Sequence, residues 1–342
     1  MAIKLSILDQ SVIGPGEGAA DALRHTIELA RLADRWGYHR FWVSEHHDSN
    51  LVAGSSPEVL ISHLLALTER IRVGSGGVML QHYSPYKVAE NFNVLASLAP
   101  GRVDLGIGRT PGGLPLSMKA LQKGHSDAQP LPDKIGELRQ FLHDRVEADS
   151  PFAGLVASPV PDHPADLILL GASVSSARTA GSLGLPYVFA QFINGDPDEA
   201  EAAIRVYREA FRPSGFADSS PESILSLPVI VADTEDEARR LSDDYKVVRI
   251  WLESGRTITV GSVAHAEEYG RQAEEPFRIE VEQAYVVHGT KESVFRQVSA
   301  LAERCGVGEI VAIASVKDAA KRLRSFELLK EAFAEAAVIH ES

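Results

Sequence analysis

Cysteine is almost missing from this chain. Cys305 is the single one in 342 residues. One thiol excludes an intramolecular disulfide and any cysteine-based zinc cluster. Long apolar runs are missing too: no stretch approaches the ~20 apolar residues that a membrane helix needs. The N-terminus enters an apolar run at once (Ile3, Leu5, Ile7, Leu8), without the basic start or small-residue cleavage site of a secretory signal. Basic residues are in deficit, 34 against 47 acidic ones, for a net charge of −13. That balance repels phosphodiester backbones and anionic lipid surfaces. The expectation is a cytoplasmic protein with a small-molecule substrate and neither nucleic-acid nor membrane partners. No low-complexity tract or composition break divides the chain, so one domain over residues 1–342 is expected.

What is present is apolar material, 44% of the residues, enough for a substantial core. Short apolar runs alternate with longer amphipathic segments, which signals repeated βα units. The candidate strands are 3–9, 40–44, 71–80, 103–107, 166–171, 186–190, 225–232 and 309–315. Residues 21–36 and 317–337 carry apolar stripes at helical spacing. Eight strands alternating with helices suggest a closed (β/α)₈ barrel, although periodicity alone also admits an open doubly wound sheet. Three segments exceed a minimal barrel: 108–131, 148–165 and 253–283. The last is charged with little apolar period. With 108–131 it is long enough to form an active-site loop.

Four constellations could carry chemistry. Glu45-His46-His47 ends the second strand, where barrel enzymes gather catalytic groups. Alternation points the two imidazoles different ways, so one can enter the barrel mouth as a base or hydrogen-bond donor, or both can be ordinary strand-end histidines. Adjacent histidines on opposite faces do not share a metal ion, and HExxH is absent, so no metal is expected. Gly74, Gly76 and Gly77 weaken the third strand. Either a flat ligand approaches the backbone there or the strand bulges in a crowded barrel layer. Gly106-Ile107-Gly108-Arg109 follows strand four, with a guanidinium suited to an anion, and fits neither a P-loop nor GxGxxG. Gly171-Ala172-Ser173-Val174-Ser175-Ser176 opens a helix, where serines serve as caps or free N–H groups hold an anion.

In order and spacing these segments resemble the bacterial luciferase-like monooxygenase family, in its single-chain subgroup. The matching stretches are Glu45-His46-His47, Ile71-Arg72-Val73-Gly74, Pro85 with Ala89-Glu90, Gly101-Arg102 with Gly106-Ile107-Gly108-Arg109, and Ser173 through Gly184-Leu185-Pro186. Glu309-Ile310-Val311 through Leu329 adds to them, so that nearly the whole chain is covered. The resemblance implies a (β/α)₈ barrel binding reduced FMN, supplied by a separate reductase, at its C-terminal mouth. Oxygen would add to the flavin as a C4a-hydroperoxide that oxygenates a small substrate such as an aldehyde. It implies His46 beside the oxygen chemistry and a non-proline cis peptide at Ser75–Gly76 under the isoalloxazine. The phosphate would lie at Arg109, Ser173 and Ser176, with Ala172 and Gly108 nearby. Gly108 stands where the light-emitting subunits carry a cysteine. A homodimer is implied as well. Within the superfamily, deazaflavin hydride transfer and non-catalytic flavin binding are the alternatives. A metal-dependent hydrolase is the alternative outside it.

Overall fold

The structure, a computed structural model, describes residues 3–108, 112–123, 129–216 and 220–341, with side chains to 336. Twelve strands are found among them: β1 (Lys4–Asp9), β2 (Arg40–Val43), β3 (Arg72–Val78), β4 (Val103–Ile107), β5 (Asp166–Gly171), β6 (Tyr187–Ala190), β7 (Ser223–Val231), β8 (Lys246–Leu252), β9 (Thr257–Val260), β10 (Phe277–Gln283), β11 (Val287–Gly289) and β12 (Glu309–Ile313). Eight of them coincide with the expected strands. β1 to β7 and β12 pair in parallel around a ring, which closes through β6–β7 on one side and β12–β1 on the other. Helices flank the ring, and the architecture is the expected (β/α)₈ barrel, not an open sheet.

The helices form where apolar residues recur every three or four positions. Ala19–Trp36 buries Ala22, Leu29, Ala30 and Ala33 against the barrel wall and stops at Gly37, whose φ of 77° favours glycine. The Asp34 carboxylate on that helix accepts the backbone N–H groups of Glu69, Arg70 and Ile71, which fixes the chain entering β3. The expected C-terminal helix runs over Ala319–Glu341.

The barrel interior is a core of its own. Leu8, Trp42, Ile168, Leu170, Val188, Ile224, Val311 and Ile313 pack together inside the ring, apart from the larger core between strands and helices. Where one strand supplies two of them, Ile168 with Leu170 and Val311 with Ile313, they are two positions apart, as strand alternation requires. Towards the N-terminal strand ends the interior becomes ionic. Arg40 reaches Glu309 at 3.0 Å and Asp104 and Glu222 at 3.2 Å, while Arg72 pairs with Asp104 and Asp166. Trp42 Nε1 donates to Asp104 at 2.8 Å, and Ser6 to Glu309 at 2.6 Å.

Two expectations change. The segment 253–283 is not an irregular loop. β8, β9 and β10 form an antiparallel sheet, and the helix Val263–Ala273 packs on it. Val248, Ile250, Leu252, Ala266 and Tyr269 share a satellite core there with Leu114. The helix buries only Ala266, Tyr269 and Gly270, and β10 is mostly exposed, so the segment's charge hid both patterns. The second change is the non-proline cis peptide, which lies at Gly76–Gly77, one bond beyond Ser75–Gly76. Ser75 is instead a fully buried strand residue whose hydroxyl donates to Gly106 O at 2.9 Å.

Candidate functional site

The site residues gather at the C-terminal ends of the barrel strands. Continuing the inward alternation past Trp42, Gly106 and Val188 leads to Ser44, Gly108 and Ala190. Small side chains therefore floor the mouth on this side, above the packed interior, and leave room for a flat group.

The glycines of β3 and β4 have two separate explanations. A Cβ on Gly74 would lie 2.4 Å from Asp104 O, and one on Gly106 would lie 2.2 Å from Ser75 O. One on Gly77 would meet Gly106 O at 2.7 Å. These three are required by the close approach of the two backbones, and the β3–β4 register shifts between Ser75 and Val78. The crowded layer and the bulge weighed from sequence are thus both present. Gly76 and Gly108 differ: their added Cβ would meet side chains, Leu8 at 2.8 Å and Met79 at 3.2 Å respectively.

His46 follows Val43 and Ser44 out of β2. Its N–H donates to Gly54 O at 2.7 Å, and its Nδ1 lies 3.1 Å from Ser44 Oγ. Its Nε2 has no hydrogen-bond partner among the described residues. Burial pulls its pKa down to about 4, and the Glu45 charge only partly opposes this. The imidazole is therefore neutral at pH 7 and can accept or donate one hydrogen bond. It lines a cavity of about 620 Å³ with Ile13, Val52, Leu114 and, from the helix Val263–Ala273, His265 and Arg271.

His47 points elsewhere, as alternation required. Its Nε2 donates to Glu45 at 2.7 Å, and Tyr83 OH donates to the same oxygen at 2.7 Å. Glu45 and Tyr83 belong to a buried network that sequence reasoning missed. The available signal was period two, which puts Glu45 and His47 on one side of the chain and His46 on the other. His265 was also missed, because its segment showed little apolar pattern.

Ser173 caps the helix Val174–Leu183. Its Oγ accepts Ser176 N at 3.2 Å, and Ser173 N donates to Ser176 Oγ at 3.2 Å. Ser176 is buried, with its hydroxyl 2.7 Å from Ser173 O and 3.0 Å from Tyr187 OH. The cap thus satisfies itself, and Glu199 accepts Val174 N at 3.3 Å. Ala172 lies just ahead, its carbonyl accepting from Asn194 at 2.9 Å. Arg109 lies outside the described residues. Near the same strand ends, Gln10 accepts from Ser315 at 2.8 Å and Phe192 packs on the barrel interior. Trp251 instead belongs to the small sheet, bonded to Glu280 at 2.8 Å.

The fold and this mouth define a (β/α)₈-barrel protein with a small-residue floor beside an uncharged, half-buried imidazole. A profile of the luciferase-like monooxygenase family matches residues 3–308, and the chain belongs to that family. It is 43% identical to the N-acetyl-S-alkylcysteine monooxygenase of Bacillus subtilis (strain 168), over 96% of this chain and 98% of that one. It is 34% identical to a luciferase-like monooxygenase of Escherichia coli (strain K12), over 95% and 96% of the two chains. Among solved structures, apo-MsnO8 superposes with a TM-score of 0.79 at 38% identity, covering 97% of this chain and 98% of that one.

Proposed function

We propose that this protein is a monooxygenase that takes reduced FMN from a separate reductase and uses dioxygen to oxygenate a small organic substrate. The observation that carries the reading is the neutral His46 imidazole, which opens onto a cavity and is tied to Ser44, where the inward positions of β2, β4 and β6 end in Ser44, Gly108 and Ala190. The residues fit a flavin: the floor admits a planar ring, and Ser173 with the first turn of its helix offers an anion the positive end of a helix dipole. For the phosphate to bind, the cap must exchange its internal bonds, and Glu199 must be displaced from Val174 N. Arg109 would supply the compensating charge. When bound, reduced FMN would supply the electrons that activate dioxygen. The protein's share is different. His46 holds one proton at a fixed place in the mouth, its Nδ1 oriented by Ser44. The walls from 48–55 and 262–271 exclude water from the reacting groups. The relative that acts on N-acetyl-S-alkylcysteines supports a thioether as the first substrate to test, ahead of an aldehyde.

The decisive experiment is anaerobic titration with reduced FMN, then isotopically labelled dioxygen and N-acetyl-S-benzylcysteine. Labelled product is expected from the wild type. His46→Ala is expected to bind FMN and lose most oxygenation. Equal turnover in both proteins removes His46 from the mechanism, and binding of a deazaflavin without oxygen uptake replaces the reading by hydride transfer. The homodimer is part of the same proposal. Val59 and Leu67 on the helix Pro57–Leu67, with Val94 and Leu98 on the neighbouring Pro85–Leu98, leave apolar side chains exposed for a second copy.

A further inference from the structure

We propose that Glu45 is a positioning residue for the flavin ring, acting through the backbone of Met79; this rests on the flavin reading above. Glu45 is fully buried, and three donors converge on its carboxylate. His47 Nε2 and Tyr83 OH each reach Oε1 at 2.7 Å, and the Met79 N–H reaches Oε2 at 2.9 Å. A carboxylate in this setting is costly unless its oxygens are satisfied. Both are, so Glu45 has no free oxygen aimed at a substrate. What the arrangement does is join three parts of the mouth.

Met79 is the residue after β3, just beyond the register shift between Ser75 and Val78. The regular ladder no longer dictates where the chain goes at this point. Glu45 supplies the missing constraint from β2. With its N–H held, Met79 packs its side chain against Gly108 at the edge of the floor. Its Sδ lies 3.2 Å and its Cε 3.3 Å from where a Cβ of Gly108 would be. Its Cγ lies 2.9 Å from the corresponding point on Gly112, and the Glu45 carbonyl lies 3.4 Å from that point. The backbone adds a second tie, His47 N donating to Gly112 O at 2.7 Å. One buried carboxylate thus sets the edge of the bed at Gly108, and it precedes His46 in the chain. The spacing between the imidazole and the bed is fixed by the same residue.

Glu45→Gln tests this with little change in volume. An amide oxygen can still accept from His47 and Tyr83, but the amide nitrogen then faces the Met79 N–H, donor against donor. Tyr83→Phe removes a donor and leaves the Met79 bond in place. The probe is oxidised riboflavin, which carries the ring without a phosphate, read by fluorescence titration and by the visible circular dichroism of the bound ring. The expected result is a loss of roughly tenfold or more in riboflavin affinity for Glu45→Gln, with an altered dichroism band. Tyr83→Phe is expected to stay within about threefold of wild type. Thermal melts of the unliganded proteins establish that both are folded. If Glu45→Gln does not fold, Met79→Ala, which uncovers Gly108, is expected to show the same ring-specific loss. The proposal is overturned if a folded Glu45→Gln, or Met79→Ala in its place, binds riboflavin like wild type with an unchanged band. It is also overturned if Tyr83→Phe loses as much as Glu45→Gln. Wild-type protein that binds no riboflavin would sink the flavin reading itself, a separate outcome.

Discussion

Replacing His46 by glutamine should make the protein more tolerant of acid, by an amount that follows from burial. The imidazole titrates at about 4 in the folded chain because burial disfavours its cation, against an ordinary value of 6.5. The unfolded chain therefore binds the extra proton between pH 6.5 and 4, while the folded chain does not. The sign follows from linkage: this contribution is fully present above pH 6.5 and is lost as pH falls towards 4. The full gap corresponds to about 3 kcal/mol. Relative to pH 7.5, the loss from this one group is about 1.4 kcal/mol at pH 5.5 and about 2.5 kcal/mol at pH 4.5. The assay is urea denaturation of wild type and His46→Gln at those three pH values. Packing differences between the two side chains appear equally at each pH, and other titrating groups such as His39 cancel in the comparison. The wild type should lose stability relative to the variant by those amounts. A stability difference that stays constant from pH 7.5 to 4.5 would refute the claim that His46 is held neutral by its surroundings. It would remove the neutral imidazole from the proposed chemistry with it.

Two further expectations concern the phosphate and the second copy. Arg109→Ala and Ser173→Ala should each weaken FMN far more than riboflavin in parallel titrations, and Ser173→Ala should also cost about 1 kcal/mol in stability through its lost helix cap. Equal losses for both flavins would argue that neither residue serves the phosphate. Leu98→Glu, which places a charge on the exposed apolar face, should shift the protein from dimer to monomer in sedimentation analysis. An unchanged sedimentation profile would place any self-association elsewhere.

The ring of strands was legible because each barrel strand is buried on both faces. Leu5 and Ile7 face the helices while Ser6 and Leu8 face the interior, so β1 reads as one apolar run. The same holds for Leu167 to Leu170 on β5 and for Ile310 to Ile313 on β12. The small sheet was illegible for the opposite reason. β10 is Phe277-Arg-Ile-Glu-Val-Glu-Gln283, exposed along most of its length, and β9, on the other side of the central β8, is only half-buried. A strand that buries so little leaves charge as its strongest signal. The site was partly legible. His46 stood out by its type and place, whereas Glu45 was concealed by having an ordinary function for a carboxylate in each of its bonds. The cis peptide was displaced by one residue because β3 offers Gly74, Gly76 and Gly77 close together, and the sequence alone does not distinguish the bonds between them.

The two ends of the barrel interior separate stability from chemistry. At the N-terminal end, Arg40 and Arg72 are engaged by Asp104, Asp166, Glu222 and Glu309, so both guanidinium groups are committed within that network. Leu8, Trp42, Leu170 and Val311 then form an apolar layer between that network and the C-terminal end. Above the layer the side chains on β2, β4 and β6 shrink to Ser44, Gly108 and Ala190, and the Ser44 hydroxyl meets the His46 imidazole. A charge developing at the mouth would thus find an apolar interior beneath it and an uncharged imidazole beside it, with its strongest compensation coming from the rim. Under the proposed function, binding of the anionic tail and handling of the proton would fall to different strands, the segments after β4 and β5 for the one and after β2 for the other. Substitutions that weaken FMN through its phosphate should therefore leave the acid response of His46 unchanged, a separation that the two sets of measurements above read independently.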